Sequence, residues 1–447
     1  MSTLHINTPK TFFYLLGICA FFLLLILLPG FLGMMIAQNQ WPTVWLLVLG
    51  CLLITLCFID FRHLIFFTSL AFLLASCGVF GIAFLFLALR WVFLIVMAIV
   101  AFWNWMSGKV KERLRLIDLW ALGFIGLAFY SQTYSIMPWL TVQRAFTLVL
   151  FYLAVFWGVS HYIEDENKVT KMIHQFLYSV FPLLLIGLGM GPYKPFTGIF
   201  KSPNTVGVIT SILMPLAFWS YLCEQKKSAF YIIVLFSISL FISKSRAGIL
   251  ATAIASGYFL FSYYRVHRAT ILTWIVVFAG SALLYAELFG YSFIKDYLKW
   301  DTLGVGGGRF EAWPEVIRLI KLRPWLGFGF GTEDHLFLHF DIVFMNHAGA
   351  YAHNSYLGLA SQLGIVGVLF FFVPLFFIFF RCAYQLHKMP SEKSFPLLLA
   401  LNASILGGLI NAFFESWLYT VGSAFMFPFW CVVIAQLQIN RRIGIAK

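Results

Sequence analysis

Charged side chains are the residues that this chain has least of. Lys, Arg, Asp and Glu make up 11% of its 447 residues, whereas hydrophobic residues make up 62% and include 52 Phe and 15 Trp. A soluble enzyme needs a far more polar surface than this composition can supply. The sequence therefore excludes a soluble globular protein and predicts an all-α, polytopic membrane helical bundle.

Cysteine pairs that could stabilise an extracellular domain are also missing. No internal repeat, low-complexity tract or soluble domain stands out either. None of the cysteines lies in the polar segment 291–353, so neither a disulfide nor a Cys-based metal site is expected. All seven lie within or at the ends of apolar runs, at positions 19, 51, 57, 77, 223, 382 and 431.

Apolar runs long enough to cross a bilayer, about 20 residues each, fill most of the chain. We predict 12–14 transmembrane helices, because the runs within 64–106 and 229–264 can be divided in more than one way. The candidates lie near 11–36, 41–59, 64–82, 84–106, 116–136, 139–163, 172–191, 205–223, 229–243, 247–264, 270–290, 354–380, 396–414 and 418–439.

Lysine and arginine concentrate in alternate loops, which predicts the orientation because basic loops remain in the cytoplasm. Both termini are then cytoplasmic, the first run is a retained helix rather than a cleaved signal, and 291–353 forms one large periplasmic loop. The net charge of +13 is thus a topology signal, and no nucleic-acid partner is expected. The basic loop positions are 62; 109, 111, 113 and 115; 168 and 171; 226 and 227; 265 and 268; 381, 388 and 393; and 441, 442 and 447.

The loop 291–353 concentrates the polar chemistry, with seven of the seventeen acidic residues and four of the ten histidines. Within it, Phe310, Trp313, Ile317 and Ile320 recur at steps of three and four residues. That spacing predicts an amphipathic helix against the membrane surface, ending before Pro324.

Arg309 is the first candidate for ligand binding. It follows three glycines, 306–308, at the start of the predicted helix, where backbone N–H groups and a guanidinium could together hold a phosphate or diphosphate. The alternative is a flexible connector, with Arg309 paired locally to Glu311 or Glu315. The glycine spacing matches no phosphate-binding loop.

Arg246 is the second candidate, within 243–248 (SKSRAG) at the outer face. Two cations and two hydroxyls there suit an anionic group at headgroup level, although an arginine reaching lipid phosphates would give the same pattern. Lys201, in the outer turn 198–204, is a weaker candidate because a structural turn explains it equally well. Arg90 and Arg144 lie partly within apolar runs, and the sequence names no partner for either.

His353 is the third candidate, at the mouth of a membrane helix. An imidazole titrates near neutral pH and can take a proton from a hydroxyl nucleophile. The alternative is an interfacial histidine near a helix cap. The histidines at 335, 339 and 347 are irregularly spaced, so the sequence does not support a metal site.

Four motifs in order resemble the O-antigen ligase and Wzy-type polysaccharide polymerase superfamily of membrane glycosyltransferases. They are SxSR at 243–246, GRx3W at 308–313, RPWLGFG at 323–329 and HNSYLx6Gx2G at 353–367, with GIFx2PN at 198–204 upstream. The resemblance covers about 195–430, including the loop 291–353. It leaves 1–194 as N-terminal transmembrane helices and 431–447 as the end of the last helix with a cytoplasmic tail.

The resemblance implies a GT-C-like fold and a metal-independent, cofactor-free, inverting glycosyltransferase. Such an enzyme transfers glycans from undecaprenyl diphosphate outside the bacterial cytoplasmic (inner) membrane, in lipopolysaccharide or exopolysaccharide biosynthesis. It assigns Arg246 and Arg309 to the diphosphate and His353 to the acceptor hydroxyl. The residues expected to support them are Lys201, Ser245, Arg323, Asn354 and Glu415.

The acceptor stays open at this point, between a lipid-linked repeat unit for a polymerase and lipid A-core for a ligase. The motif wording is closer to polymerases, whereas a single large outer loop is typical of ligases. A protein O-oligosaccharyltransferase is less favoured because those enzymes often have a soluble C-terminal domain. A bicarbonate-like anion transporter would need ionisable residues near the bilayer midplane; membrane lipids are partners in every case.

Overall fold

The computed structural model describes residues 61–107, 115–189, 197–265, 309–344, 351–388 and 393–445. Its regular secondary structure there is helical, apart from an isolated bridge between Cys77 and Phe200. Seven of these helices are long and apolar enough to cross a membrane. The all-α polytopic class is therefore confirmed. The predicted spans 11–36, 41–59 and 270–290 lie outside the described residues, so the total of 12–14 stays a prediction.

The described helices follow the predicted spans closely. The N-terminal ones are α1 Phe61–Leu74, α2 Phe80–Met106, α3 Leu116–Tyr130, α4 Pro138–Tyr162 and α5 Glu166–Gly189. The others are α6 Pro203–Leu222, α7 Lys227–Ser243, α8 Arg246–Tyr263, α9 Arg309–Leu322, α10 Glu333–His339, α11 Ser355–Lys388, α12 Phe395–Ala412 and α13 Met426–Ile445.

Helices α6, α8 and α12 pack against one another as the most closely associated group among the described helices. At the crossing of α6 and α8, Gly207 and Gly248 approach so closely that a β-carbon on either would collide with the other. The same holds where Gly407 of α12 faces the Ser211 carbonyl of α6. These small residues let the backbones approach closely. The contact brings the first turns of α6 and α8 side by side.

Helix α11 is broken at Gly364, whose φ of 62° lies in the left-handed region. The RPWLGFG segment packs into this break. Phe328 N–H donates to the Ser361 carbonyl at 2.9 Å, and Ile365 N–H donates to the Pro324 carbonyl at 2.8 Å. The inserted segment thereby satisfies backbone groups that the break would leave unpaired. A β-carbon on Gly364 would collide with the Trp325 backbone, which explains why a glycine stands there.

The predicted amphipathic helix is confirmed as α9, but the predicted apolar face is wrong at Ile317, which is 41% exposed. The buried face consists of Ala312, Val316 and Leu319, which pack with a cluster that includes Phe337 of α10. The helix therefore packs through a face rotated from the predicted one, because its neighbours are other parts of the protein.

The predicted final span, 418–439, begins too early. Residues 413–425 are irregular and largely buried, and α13 starts only at Met426. Irregular backbone at membrane depth is tolerated where protein surrounds it. This segment also supplies the missing partner of Arg90, whose Nη1 donates to the Gly422 carbonyl. For Arg144 the partner is Asp334 of α10, which it binds with both Nη atoms at 2.8 and 2.6 Å.

Candidate functional site

Glu415, just after α12, joins side chains from three other parts of the chain. Its Oε1 accepts hydrogen bonds from Asn204 Nδ2 at 2.6 Å and from Arg309 Nη2 at 3.1 Å. Its Oε2 lies 3.1 Å from His353 Nδ1. The carboxylate is only 17% exposed. The structure thus brings Arg309, His353 and Glu415 together, and adds Asn204 to them.

Arg309, the first residue of α9, is held by the segment that follows α12. Its Nε and Nη2 donate to the Phe414 carbonyl at 3.3 and 2.9 Å, and Nη2 also pairs with Glu415. The local pairing with Glu315 considered above is not what forms, because Glu315 binds Arg318 at 2.7 Å. The glycines 306–308 lie outside the described residues.

His353 stands immediately before α11 with a φ of 49°, which is uncommon for a residue with a side chain. Its ring is 33% exposed, so it is held by the protein and open to a ligand. Because an ionised carboxylate can only accept, the contact with Glu415 assigns the proton to Nδ1 and the basic lone pair to Nε2. A histidine oriented in this way can act as a general base.

The residues after His353 fix the chain to the segment 413–418. Asn354 Oδ1 accepts from the backbone N–H groups of Tyr356 and Leu357 and so caps α11. Ser355 Oγ donates to the Glu415 carbonyl at 2.7 Å and accepts from Trp417 N–H at 3.0 Å. The predicted supporting residue Asn354 is therefore a helix cap that sets the direction from which His353 approaches Glu415.

Ser245 and Arg246 reach the same place from the start of α8. Ser245 is buried, and its Oγ donates to Asn204 Oδ1 at 3.3 Å. Asn204 thus bridges Ser245 and Glu415. Arg246 lies close enough to Arg309 for the two positive charges to repel each other. Two guanidinium groups therefore lie near each other at this site, an arrangement that suits an anionic ligand.

The two remaining predicted supporting residues make other contacts. Arg323 donates from Nη1 to the Tyr134 carbonyl at 3.1 Å and lies 5.0 Å over the Phe328 ring. Lys201 is exposed, and its backbone N–H bonds the Ser76 carbonyl. Neither makes a hydrogen bond to Glu415 within the described ranges.

Sequence reasoning missed the importance of Asn204 and Glu333. Asn204 lies in the GIFx2PN motif, a signal that could have identified it, but the turn was interpreted as structural. Glu333 is fully buried and accepts bonds from Ala352 N–H and from Ser416 Oγ. It stands in no recognised motif, so nothing in the sequence distinguished it from other acidic residues of the loop.

Comparison with known proteins gives one family. Residues 231–372 match the family model described as O-antigen ligase. The matched segment, less than half of the chain, includes Arg246, Arg309 and His353, whereas Asn204 and Glu415 lie outside it. No curated protein matches the chain. The resemblance found in the motifs is confirmed over this segment.

Proposed function

Because the segment 231–372 belongs to the O-antigen ligase family, we propose that this membrane protein is a glycosyltransferase of cell-surface polysaccharide assembly. It moves a glycan from undecaprenyl diphosphate to a sugar hydroxyl at the outer face of the bacterial cytoplasmic membrane. The observation that carries the proposal is the contact of one carboxylate, Glu415, with both Arg309 and His353. An anion-binding group and a base are thereby fixed next to each other.

Binding of the donor falls to the arginines. Arg309 uses Nε and Nη2 for Phe414 and Glu415, which leaves the Nη1 edge of its guanidinium for a phosphate oxygen. Arg246 supplies a second positive charge nearby. Guanidinium groups suit diphosphate oxygens because they donate several hydrogen bonds in a fixed plane. Charge that develops on the departing diphosphate is stabilised by groups already in place.

Activation of the acceptor falls to His353. Its Nε2 takes the proton of the acceptor hydroxyl as that oxygen attacks the anomeric carbon. The new bond joins this oxygen to the anomeric carbon, and the bond from that carbon to the phosphate oxygen breaks. The diphosphate leaves on its lipid with the bonding electrons. Attack opposite the leaving group inverts the anomeric carbon, and no step in this scheme requires a metal.

The alternatives receive less support. A transporter would place ionisable groups along a path through the bundle, but Asn204, Arg309, His353 and Glu415 lie at or just beyond helix ends. Of the cations within the described spans, Arg90 bonds the Gly422 carbonyl and Arg144 bonds Asp334. Polymerase, ligase and protein O-oligosaccharyltransferase share the same chemistry and differ in the acceptor. A transfer assay with defined acceptors distinguishes them.

The test is transfer by the purified protein in vesicles that contain an undecaprenyl-diphosphate glycan and either lipid A-core or a second lipid-linked repeat. Longer lipid-linked chains establish a polymerase, and glycan on lipid A-core establishes a ligase. We expect Arg309→Ala and His353→Ala each to abolish most transfer. The matched controls are Arg318→Ala on the exposed side of α9 and His339→Ala on α10.

Both controls should retain transfer, because Arg318 binds only the exposed Glu315 among its described contacts and the His339 ring lies against Phe340. Full activity of the Arg309 and His353 variants, or vesicles of the wild-type protein that transfer glycan to neither acceptor, would overturn the proposal.

A further inference from the structure

We propose that Glu333 is a positioning residue for this transfer, and that its side chain holds His353 and Glu415 at their working separation. The inference rests on the proposed function. Glu333 is the first residue of α10, and its hydrogen bonds are different from those of Glu415 described above. Its side chain has its own set of hydrogen bonds, all to groups around the catalytic pair.

Glu333 is buried and accepts four hydrogen bonds. Oε1 accepts from Ala352 N–H at 3.0 Å and from Ser416 Oγ at 2.7 Å. Oε2 accepts from Tyr419 OH at 2.6 Å and from Gln362 Nε2 at 3.3 Å. A buried carboxylate costs several kcal/mol unless donors surround it, and here each oxygen has two.

The protons of this network all point towards Glu333. Ser416 Oγ accepts from Asn354 N–H at 3.0 Å, so its own proton is available for Glu333. Tyr419 OH likewise accepts from Gln362 Nε2 at 3.0 Å and gives its proton to Glu333. Both hydroxyls can therefore donate to Glu333, and together with Ala352 N–H and Gln362 Nε2 they fix the orientation of its carboxyl group.

The electrostatics of the pocket act in both directions. Burial raises the pKa of Glu333 above its ordinary value, although the bonds from Tyr419, Ser416 and Ala352 and the nearby positive charge of His353 act to lower it. The positioning role follows from the hydrogen bonds, which hold the side chain in place.

Oε1 of Glu333 binds the residues that stand next to His353 and Glu415 in the chain. Ala352 directly precedes His353, and Ser416 directly follows Glu415. One oxygen atom of Glu333 thus bonds to both chain segments of the site, the one with His353 and the one with Glu415. His353 has a left-handed backbone, a conformation that costs on the order of 1 kcal/mol and persists only where surrounding contacts enforce it. Glu333 provides such a contact at the preceding residue.

The experiment compares Glu333→Gln with the wild-type protein in the vesicle transfer assay. We expect kcat to fall about 10- to 100-fold, as for other residues that orient a functional histidine. The KM for the lipid-linked donor should change little, because the arginines keep their places. Asp334→Asn is the matched control on the same helix, and it should retain kcat because Asp334 binds Arg144 and His335.

If Glu333→Gln prevents folding, as judged by gel filtration, a milder substitution takes its place. Ser416→Ala then carries the test: it removes one donor from Oε1, and kcat should fall with donor KM retained. Wild-type kcat in the variant tested, beside an inactive His353→Ala, would overturn the role of Glu333 alone. A wild-type protein without transfer would overturn the proposed function and this role together.

Discussion

Replacing Glu415 by Gln tests the centre of the proposed site. The substitution keeps the shape of the side chain but removes its charge and one acceptor oxygen. In the wild-type protein Oε1 serves Asn204 and Arg309 while Oε2 serves His353. A glutamine can offer its single oxygen to one side only. Either the histidine loses its orienting acceptor, or Arg309 and Asn204 lose theirs.

The size of the effect follows from the hydrogen bonds to charged groups. Each is worth about 1.5–3 kcal/mol, and the Glu415 carboxylate is 17% exposed, so solvent screens it little. If one such bond is lost from the transition state, kcat should fall about 10- to 150-fold, at 1.36 kcal/mol for each factor of ten.

The assay is transfer in vesicles at a saturating concentration of donor. Glu315→Gln is the control, since Glu315 forms an exposed pair with Arg318 on α9 at a comparable distance of 2.7 Å. Exposed pairs contribute little, so this variant should behave as the wild-type protein. If Glu415→Gln matched that control in rate, the arrangement around Glu415 would not be the catalytic one.

Two further predictions concern stability. Gly364→Ala should destabilise the purified protein by about 1–3 kcal/mol from backbone strain alone, and by more because the added β-carbon collides with Trp325. The measurement is the midpoint temperature of thermal unfolding. Gly257→Ala is the control and should not lower that midpoint, because a β-carbon added there meets nothing within 4 Å. Arg144→Met should lower the free energy of unfolding by about 1–2 kcal/mol, a range that allows for the partial exposure of Arg144. Although burial opposes it, the bonds and charge of Arg144 lower the pKa of Asp334. The stability that this pair provides is therefore present above the unfolded pKa of about 3.9 and is lost as the pH falls through the lower folded value. The difference in unfolding free energy between the wild-type protein and Arg144→Met should become smaller below about pH 4. A difference that stayed constant or grew would contradict the reasoning.

The helices could be predicted from sequence because a spanning helix is a local property. About 20 apolar residues in a row are sufficient to define one, and the ends of α4, α6 and α12 fall within a few residues of the predicted bounds. The irregular segment 413–425 was not predictable in this way. It is as apolar as a span, and only the packing around it shows why it is not helical.

The buried face of α9 shows the same limit. Its sequence contains two apolar sets, one with Phe310, Trp313, Ile317 and Ile320 and one with Ala312, Val316 and Leu319. Periodicity favours the set with the larger side chains. The structure fully buries the set with the smaller ones, whereas Trp313 and Ile320 are half-buried and Ile317 is exposed. Which set is buried depends on partners that are distant in sequence.

The candidate site could be predicted only in halves for the same reason. His353 and Arg309 are 62 and 106 positions from Glu415, and Asn204 is 211 away. A single glutamate after a membrane helix is ordinary by sequence, whereas the HNSY motif is recognisable. In the structure every residue of that motif bonds to 409–418: His353 to Glu415, and Asn354, Ser355 and Tyr356 to Ser416, Glu415 and Leu409. The motif is thus one side of a two-segment contact, and its residue types follow from the need to hold the other side in place.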